Sequence, residues 1–182
     1  MNPDPDKLID LIGARAKNLF ITGQLLCTES VLTVINQGLK GDLSPELAIR
    51  IASGLPEGLG GSGCLCGALN GGVLALGLFL GRSRPGFGNG NRVRSSTRIF
   101  HDRFRETFGG TCCRILSHDF RHDRDLHFSH CAELTAEAAR MATRIILHER
   151  PDLAKQADHT FLEQVDATSR ARLKKIAGLF RR

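Results

Sequence analysis

Tryptophan and tyrosine are absent from this 182-residue chain, so phenylalanine is its only aromatic residue type. Proteins that bind single-stranded nucleic acid stack the bases on aromatic side chains, and few residues here could do so. The arginine-rich segment 82–98 could contact phosphates, but arginines in a glycine-rich linker are typical of a solvated loop. The net charge of +6 is basic but not extreme. Nucleic-acid binding is therefore a minor alternative.

Signals for export or for membrane insertion are also lacking. Residues 1–10, MNPDPDKLID, have neither the basic segment nor the apolar segment of a secretory signal. The longest apolar run, 68–80, is shorter than the roughly 20 residues that span a bilayer. We therefore predict a cytoplasmic protein without a membrane span. There, cysteines stay reduced unless they bind metal or take part in redox chemistry.

The six cysteines do not have the spacings of the common metal and redox motifs. The chain has no CxxC pair, which argues against a zinc ribbon or a thioredoxin motif, and no CxxCH, which argues against covalent c-type haem. One interpretation is that the cysteines are small buried side chains, since free cysteine is among the most buried residue types. The protein would then be a non-catalytic binding or regulatory module whose basic loop meets an acidic partner.

Residues 58–63, GLGGSG, match the GxGxxG pattern of dinucleotide-binding proteins. That pattern requires a preceding strand, a following helix and an acidic residue about 20 positions later. Here the preceding segment has helical spacing, and no acidic residue occurs between Glu57 and Asp102. We therefore interpret the stretch as a bend between helices.

Apolar residues recur with helical spacing along most of the chain. We predict helices over 5–20, 22–39, 44–54, 64–80, 98–108 and 129–149, with a short helix starting at Thr111. The helix at about 64–80 is apolar on nearly all sides, which is typical of a central helix, and its glycines would let neighbouring backbones approach closely.

The predicted fold is an all-α, compact single-domain bundle around that central helix. The cysteine-containing domain would cover residues 1–150 and carry a mobile insert, rich in arginine and glycine, at 81–97. A basic helical extension would follow at 151–182.

Several cysteines fall close to predicted helix starts. If Thr111 and Ser129 are N-caps, Cys113 and Cys131 each occupy the second position of a helix, and Cys66 lies in the first turn of the central helix. The N-terminus of a helix offers free N–H groups and the positive end of the dipole, which lower the pKa of a thiol. This placement favours thiolate chemistry or metal ligation over inert packing.

Four cysteine-containing segments resemble a redox-active family that is named for its pattern, C_GCAxxG_C_C. The segments are LLCTESVL with Cys27, CGALNG with Cys66, FRETFGGTCCRIL with Cys113 and HCAELTAEAA with Cys131. Their order and spacing agree with the family over about residues 20–148. The resemblance implies that these four cysteines are the functional set and that an electron partner exists. Cys64 and Cys112 would be secondary.

Four such thiols have three possible uses. They could form thiol–disulfide pairs that exchange electrons, they could hold an iron–sulfur cluster, or they could hold a structural zinc ion. The wide spacing leaves these alternatives open, and each requires the fold to bring the sulfur atoms together.

Histidines cluster just before the last of these cysteines. His118 and His122 would share one face of a helix, a spacing that suits a divalent metal; the alternative is a solvated, charged loop that also contains His127. His130 is next to Cys131, so it is the histidine best placed to tune a thiol.

Overall fold

The computed structural model describes residues 4–85 and 90–167. All regular elements in these two ranges are helical, which confirms the predicted all-α class. The elements are α1 (Pro5–Ile21), α2 (Cys27–Gly38), α3 (Pro45–Ala52), α4 (Pro56–Leu59), α5 (Gly67–Leu80), α6 (Gly90–Phe108), α7 (Cys113–Leu116), α8 (Arg124–Glu149) and α9 (His159–Leu162), with a 3-10 helix (Pro151–Gln156) between α8 and α9. Within the same ranges, none of the helices combines the length and the apolar character needed to cross a lipid bilayer.

Helices α2, α5 and α8 pack against one another and form the centre of the molecule. Helix α1 covers α8 and α2, while α6 packs mainly on α5 and places Phe100 and Phe104 fully inside the core. Most of α5 is buried, as its apolar sequence predicted, but α2 is enclosed even more completely. The start of α5 is therefore surrounded by other helices.

Two glycines of α5 allow its close approach to neighbouring helices. A Cβ at Gly71 would lie 2.8 Å from the Thr28 carbonyl oxygen of α2, and a Cβ at Gly72 would overlap the Phe100 ring of α6. A Cβ at Gly77, in contrast, would have no atom within 4 Å apart from its chain neighbours and the backbone of its own helix. The predicted role of the α5 glycines in close packing thus holds for the first two and is wrong for Gly77.

Helix α8 starts at Arg124, five residues before the predicted start at Ser129. The reason is a different N-cap: the Asp123 carboxylate accepts hydrogen bonds of 3.0 Å from the N–H groups of Asp125 and Leu126. Aspartate is a preferred N-cap residue because it satisfies such free donors. The extra turn extends α8 through part of the segment that the sequence suggested as a charged loop.

Helix α2 starts at Cys27 instead of near Thr22, because residues 22–25 form a turn and a bend. The N–H group of Leu26 donates a 2.9 Å hydrogen bond to the Glu29 carboxylate, which closes the first turn. Cys27 therefore occupies a helix start that the sequence pattern did not reveal.

Helix α6 begins at Gly90, whereas the sequence predicted a helix only from Arg98. An ion pair anchors this early start, because the Arg92 guanidinium pairs with the Glu149 carboxylate at the end of α8. It also donates a 2.6 Å hydrogen bond to the Glu149 carbonyl. Of the expected insert at 81–97, residues 86–89 lie outside the described residues.

The segment after α8 packs against the same core as far as it is described. Leu153, Phe161 and Leu162 are buried, and the Arg15 guanidinium of α1 pairs with the Asp166 carboxylate at 2.9 Å. The part of the predicted basic helical extension beyond residue 167 lies outside the described residues.

Candidate functional site

A cavity of about 520 Å³ lies where the starts of α2, α5 and α7 face α8. The four cysteines of the predicted functional set all line it: Cys27, Cys66, Cys113 and Cys131. Each belongs to a different helix. Cys27 and Cys113 are the first residues of α2 and α7, and Cys66 is the N-cap of α5. Cys131, predicted at a helix start, instead lies within α8 because that helix begins earlier.

Cys113 carries the most acidic thiol of this cavity. The Cys66 thiol donates a hydrogen bond to its sulfur, and the backbone N–H of Gly67 donates another, which together lower the pKa of Cys113 to about 7 against the opposing effect of burial. Gly67 is the first residue of α5, so the sulfur also lies at the positive end of a helix dipole. A substantial fraction of Cys113 is therefore thiolate at neutral pH.

Cys66 is the proton-bearing partner of Cys113. Its pKa is raised well above the ordinary value, first because its S–H donates to Cys113 and second because of burial. Only 3% of the residue is exposed. Of these two thiols, Cys113 is therefore the one that loses its proton first as pH rises.

The other two cavity thiols stay neutral. Burial raises the pKa of Cys27, and the charge of Cys113 adds to that increase, although N–H groups of Glu57 and Thr28 partly oppose it. Burial also raises the pKa of Cys131 to about 12, with further contributions from the charges of Cys113 and Glu57. Near pH 7, Cys113 is therefore the cavity thiol that ionises most readily, and the other three stay protonated.

Gly67 is the residue that allows this convergence. A Cβ at this position would overlap the sulfur of Cys27 and lie 2.8 Å from the Thr28 hydroxyl oxygen. Without a side chain, the start of α5 can lie against Cys27 while its N–H group points to Cys113. The glycine of the CGAxxG segment thus has a steric role at the site.

Comparison with known families agrees with this picture. A family model described as "Putative redox-active protein (C_GCAxxG_C_C)" matches residues 25–145. The chain belongs to this family. The match confirms the resemblance seen in the sequence and includes every cysteine of the chain. No curated protein and no solved structure shows significant similarity to the chain.

The C_GCAxxG_C_C designation describes a cysteine pattern and a redox character, and it names no substrate. In the designation, glycine precedes the cysteine of the central motif, whereas here the order is Cys66, Gly67, Ala68. The contact between Gly67 and the Cys27 sulfur gives a physical reason for glycine directly after Cys66 in this chain.

The sequence pattern did not indicate the charged residues that line the cavity. Arg114, Arg124 and His127 line it, together with Glu57. Arg124, His127 and Cys131 are spaced three and four residues apart, which places them on one face of a helix. This signal was hidden because the predicted helix began only at Ser129.

His130, expected to tune the neighbouring thiol, is directed elsewhere. Its ring stacks on Phe120 with centroids 4.4 Å apart, and its Nε2 atom is buried without a hydrogen-bond partner among the described residues. Burial lowers its pKa. His127 is therefore the histidine of this cluster that reaches the cysteine cavity.

His118 and His122 lie in an exposed turn, where His118 contacts Asp119 at 2.9 Å. Across residues 4–85 and 90–167, no group of three or more histidine, cysteine, aspartate or glutamate side chains is arranged to hold a metal ion. The metal spacing suggested for His118 and His122 is thus not realised, because the two residues are not on a helix.

Cys64 and Cys112, the secondary cysteines of the prediction, lie outside the lining of the cavity. Cys64 is exposed and Cys112 is half-buried. Their sulfur atoms are 3.8 Å apart. All six cysteines are free thiols in the structure.

Proposed function

We propose that this protein is a thiol–disulfide redox protein in which Cys66 and Cys113 are the exchanging pair. The observation that supports this most directly is that Cys66 and Cys113 line one cavity at the start of α5, where the interaction with the Cys66 thiol lowers the pKa of Cys113 to about 7. A thiolate is the nucleophile of disulfide exchange, and a pKa close to the ambient pH gives the fastest attack.

The reaction begins when the Cys113 thiolate attacks one sulfur of a disulfide substrate, RSSR. This forms a mixed disulfide at Cys113 and releases RS⁻. Cys66 then loses its proton to the released RS⁻ and attacks the Cys113 sulfur, which forms the Cys66–Cys113 bond and releases a second RS⁻. Two electrons pass from the protein to the substrate, which leaves as two thiols once solvent protonates the second.

Formation of the mixed disulfide also prepares Cys66 for the second step. The hydrogen bond to the Cys113 thiolate is the largest cause of its raised pKa. Once Cys113 is bonded to the substrate, it no longer carries that charge. The pKa of Cys66 then falls, and its thiolate becomes accessible when it is needed.

Cys27 and Cys131 support the pair through their neutrality. A second thiolate in the cavity would raise the pKa of Cys113 by repulsion, and burial prevents this for both thiols. Four cysteine thiolates are also the usual ligands of an iron–sulfur cluster. Because no three such side chains in the described ranges have a metal-holding arrangement, we assign no step to a metal.

The charges at the cavity suit a disulfide that carries acidic groups. The guanidinium groups of Arg114 and Arg124 line the cavity together with the carboxylate of Glu57. Cationic side chains at a cavity raise the local concentration of anionic reactants. We therefore infer an anionic disulfide or thiol as the preferred reactant.

The test uses the reduced full-length protein with Cys64 and Cys112 both replaced by serine, so that only the cavity thiols react. Oxidised glutathione serves as the disulfide, and mass spectrometry follows the products over time. We expect Cys66→Ser to accumulate glutathione on Cys113 and Cys113→Ser to react far more slowly. Cys131→Ser is the matched control and should still form the Cys66–Cys113 disulfide.

Equal and slow reaction of all cavity thiols in metal-free protein would contradict the proposal and support cysteines that serve packing alone. Iron or zinc that is bound one-to-one in purified protein and lost in Cys113→Ser would contradict it in favour of a ligand role.

A further inference from the structure

The two cysteines outside the cavity form a second pair at the surface. The Cys64 and Cys112 sulfurs, 3.8 Å apart, are in van der Waals contact. A disulfide bond requires about 2 Å between sulfurs, so the two sulfurs must come about 1.8 Å closer to form the bond. Cys64 is exposed, which shows that it does not fill the core.

Backbone hydrogen bonds hold the two cysteine segments side by side. The Cys66 N–H donates to the Thr111 carbonyl at 2.7 Å, and the Arg114 N–H donates to the Gly63 carbonyl at 3.1 Å. These bonds lie on either side of the Cys64–Cys112 contact. The pair is therefore held in register by the fold and does not depend on a chance approach of two mobile side chains.

The backbone at Leu65 separates the surroundings of the two cysteines that flank it. In an extended segment, residues two apart point to the same side. Leu65 has a φ of 48°, in the left-handed region that few non-glycine residues adopt, and this turn leaves Cys64 exposed while Cys66 is buried. Two thiol pairs thus connect the same two segments, Cys66 with Cys113 at the cavity and Cys64 with Cys112 at the surface.

We propose that Cys64 and Cys112 are a second redox site, which low-molecular-weight disulfides oxidise by exchange. The exposed Cys64 thiolate attacks RSSR, forms Cys64–S–S–R and releases RS⁻. Cys112 loses its proton to that RS⁻ and attacks the Cys64 sulfur, which forms the Cys64–Cys112 bond and releases a second RS⁻. The protein loses two electrons and the reactant is reduced to two thiols.

The experiment uses the full chain and oxidised glutathione, followed by tryptic digestion without reduction. Cleavage after lysine and arginine places Cys64 and Cys66 in peptide 51–82 and places Cys112 and Cys113 in peptide 106–114. In a Cys66→Ser, Cys113→Ser variant, a link between these two peptides is the Cys64–Cys112 bond. In the matched Cys64→Ser, Cys112→Ser variant, the same link is the Cys66–Cys113 bond.

We expect both variants to form the link. A link only in the Cys66→Ser, Cys113→Ser variant would support the surface site and contradict the proposed cavity function. A link only in the Cys64→Ser, Cys112→Ser variant would support the cavity function and contradict the surface site. Glutathione that stays on Cys64 without a link, or Cys64-linked dimers on a non-reducing gel, would overturn the surface pair.

A measurement on the unmutated protein covers the case in which the first variant does not fold. Chymotryptic cleavage after Leu65 separates Cys64 from Cys66, and fragmentation of the linked peptides between Cys112 and Cys113 assigns the other end, so a Cys64–Cys112 link identifies the surface pair. Where the Cys66→Ser, Cys113→Ser variant does fold, closure of this loop should raise the Tm of its oxidised form by about 5–10 °C over that of its reduced form. An unlinked Leu65 peptide after full reaction of Cys64 would contradict the proposal.

Discussion

The Cys66 thiol donates a hydrogen bond to the Cys113 sulfur at the start of α5, and this contact decides which of the two carries the negative charge. Cys113, the acceptor, also receives a hydrogen bond from the N–H group of Gly67 at the start of α5. Cys66, the donor, is almost completely buried. The same contact therefore lowers one pKa and raises the other, so that a buried thiol and a partly open thiolate lie side by side.

Removal of the donor should weaken the thiolate. We expect Cys66→Ala to raise the pKa of Cys113 from about 7 toward the ordinary value of 9.0. Because a more basic thiolate is a stronger nucleophile, its alkylation rate at pH 7 should fall by only about 5- to 10-fold. Iodoacetamide alkylation measured against pH, in a Cys112→Ser background, reports this pKa directly. Cys66→Ser keeps a hydroxyl donor and should give an intermediate pKa. Identical pH profiles for Cys66→Ala and its parent would show that the contact is unimportant.

Stability should depend on pH through the same residue. Cys113 has a folded pKa of about 7 and an ordinary value of 9.0, so between these pH values the unfolded chain binds more protons than the folded one. The free energy of unfolding therefore rises as pH increases through this window, and the contribution is lost as pH falls toward 7. The other three cavity thiols have raised pKa values, so they reduce stability above about pH 9.

The measurement is urea unfolding of the reduced protein and of Cys113→Ala across this pH range. As pH rises from about 7 to about 9, we expect the difference in unfolding free energy between the parent and Cys113→Ala to grow by about 1–1.5 kcal/mol. This is roughly half the full linkage value, because the Cys113 sulfur is partly open to solvent. A difference that stays constant with pH would contradict the lowered pKa.

Two glycines of the same helix should respond in opposite directions to alanine. Gly67→Ala places a methyl group on the Cys27 sulfur, so we expect a loss of about 1–3 kcal/mol in unfolding free energy and slower reaction of Cys113. The added methyl of Gly77→Ala meets nothing within 4 Å beyond its chain neighbours and the backbone of its own helix, so this variant should gain about 0.5–1 kcal/mol, because alanine is the better helix former. Urea unfolding measures both. A stable and fully reactive Gly67→Ala protein would remove the steric role that we assign to Gly67.

Helical periodicity was enough to predict the all-α fold, and the helix predicted over 44–54 corresponds to α3 (Pro45–Ala52), whose N-cap is Ser44. The start of α8 was missed because its cap, Asp123, lies within a run of charged residues that gives little apolar periodicity. That single difference moved Cys131 away from a helix start and His127 onto the cysteine face. The Cys64–Cys112 contact joins residues 48 positions apart, and such a pairing depends on the packed backbone, which no local pattern records.

The charge of the cavity should select among disulfides. Arg124 lines the cavity, whereas Arg121 is exposed and lies outside its lining. We expect Arg124→Glu to slow reaction of the cavity thiols with the dianionic disulfide dithiobis(nitrobenzoate) by about 3- to 10-fold at low salt, and added salt should reduce the difference. Glutamate at the first position of a helix interacts favourably with the helix dipole, so the fold should tolerate this change.

Two comparisons separate cavity charge from a general effect on the protein. The uncharged reactant hydroxyethyl disulfide should react equally with Arg124→Glu and its parent, and Arg121→Glu should change the rate with the dianion much less. Stopped-flow absorbance in the Cys64→Ser, Cys112→Ser background follows the cavity thiols alone. Equal slowing of the reaction with the dianion in Arg124→Glu and Arg121→Glu would mean that the net charge of the protein causes the effect. The cavity would then not be the source of a preference for acidic disulfides.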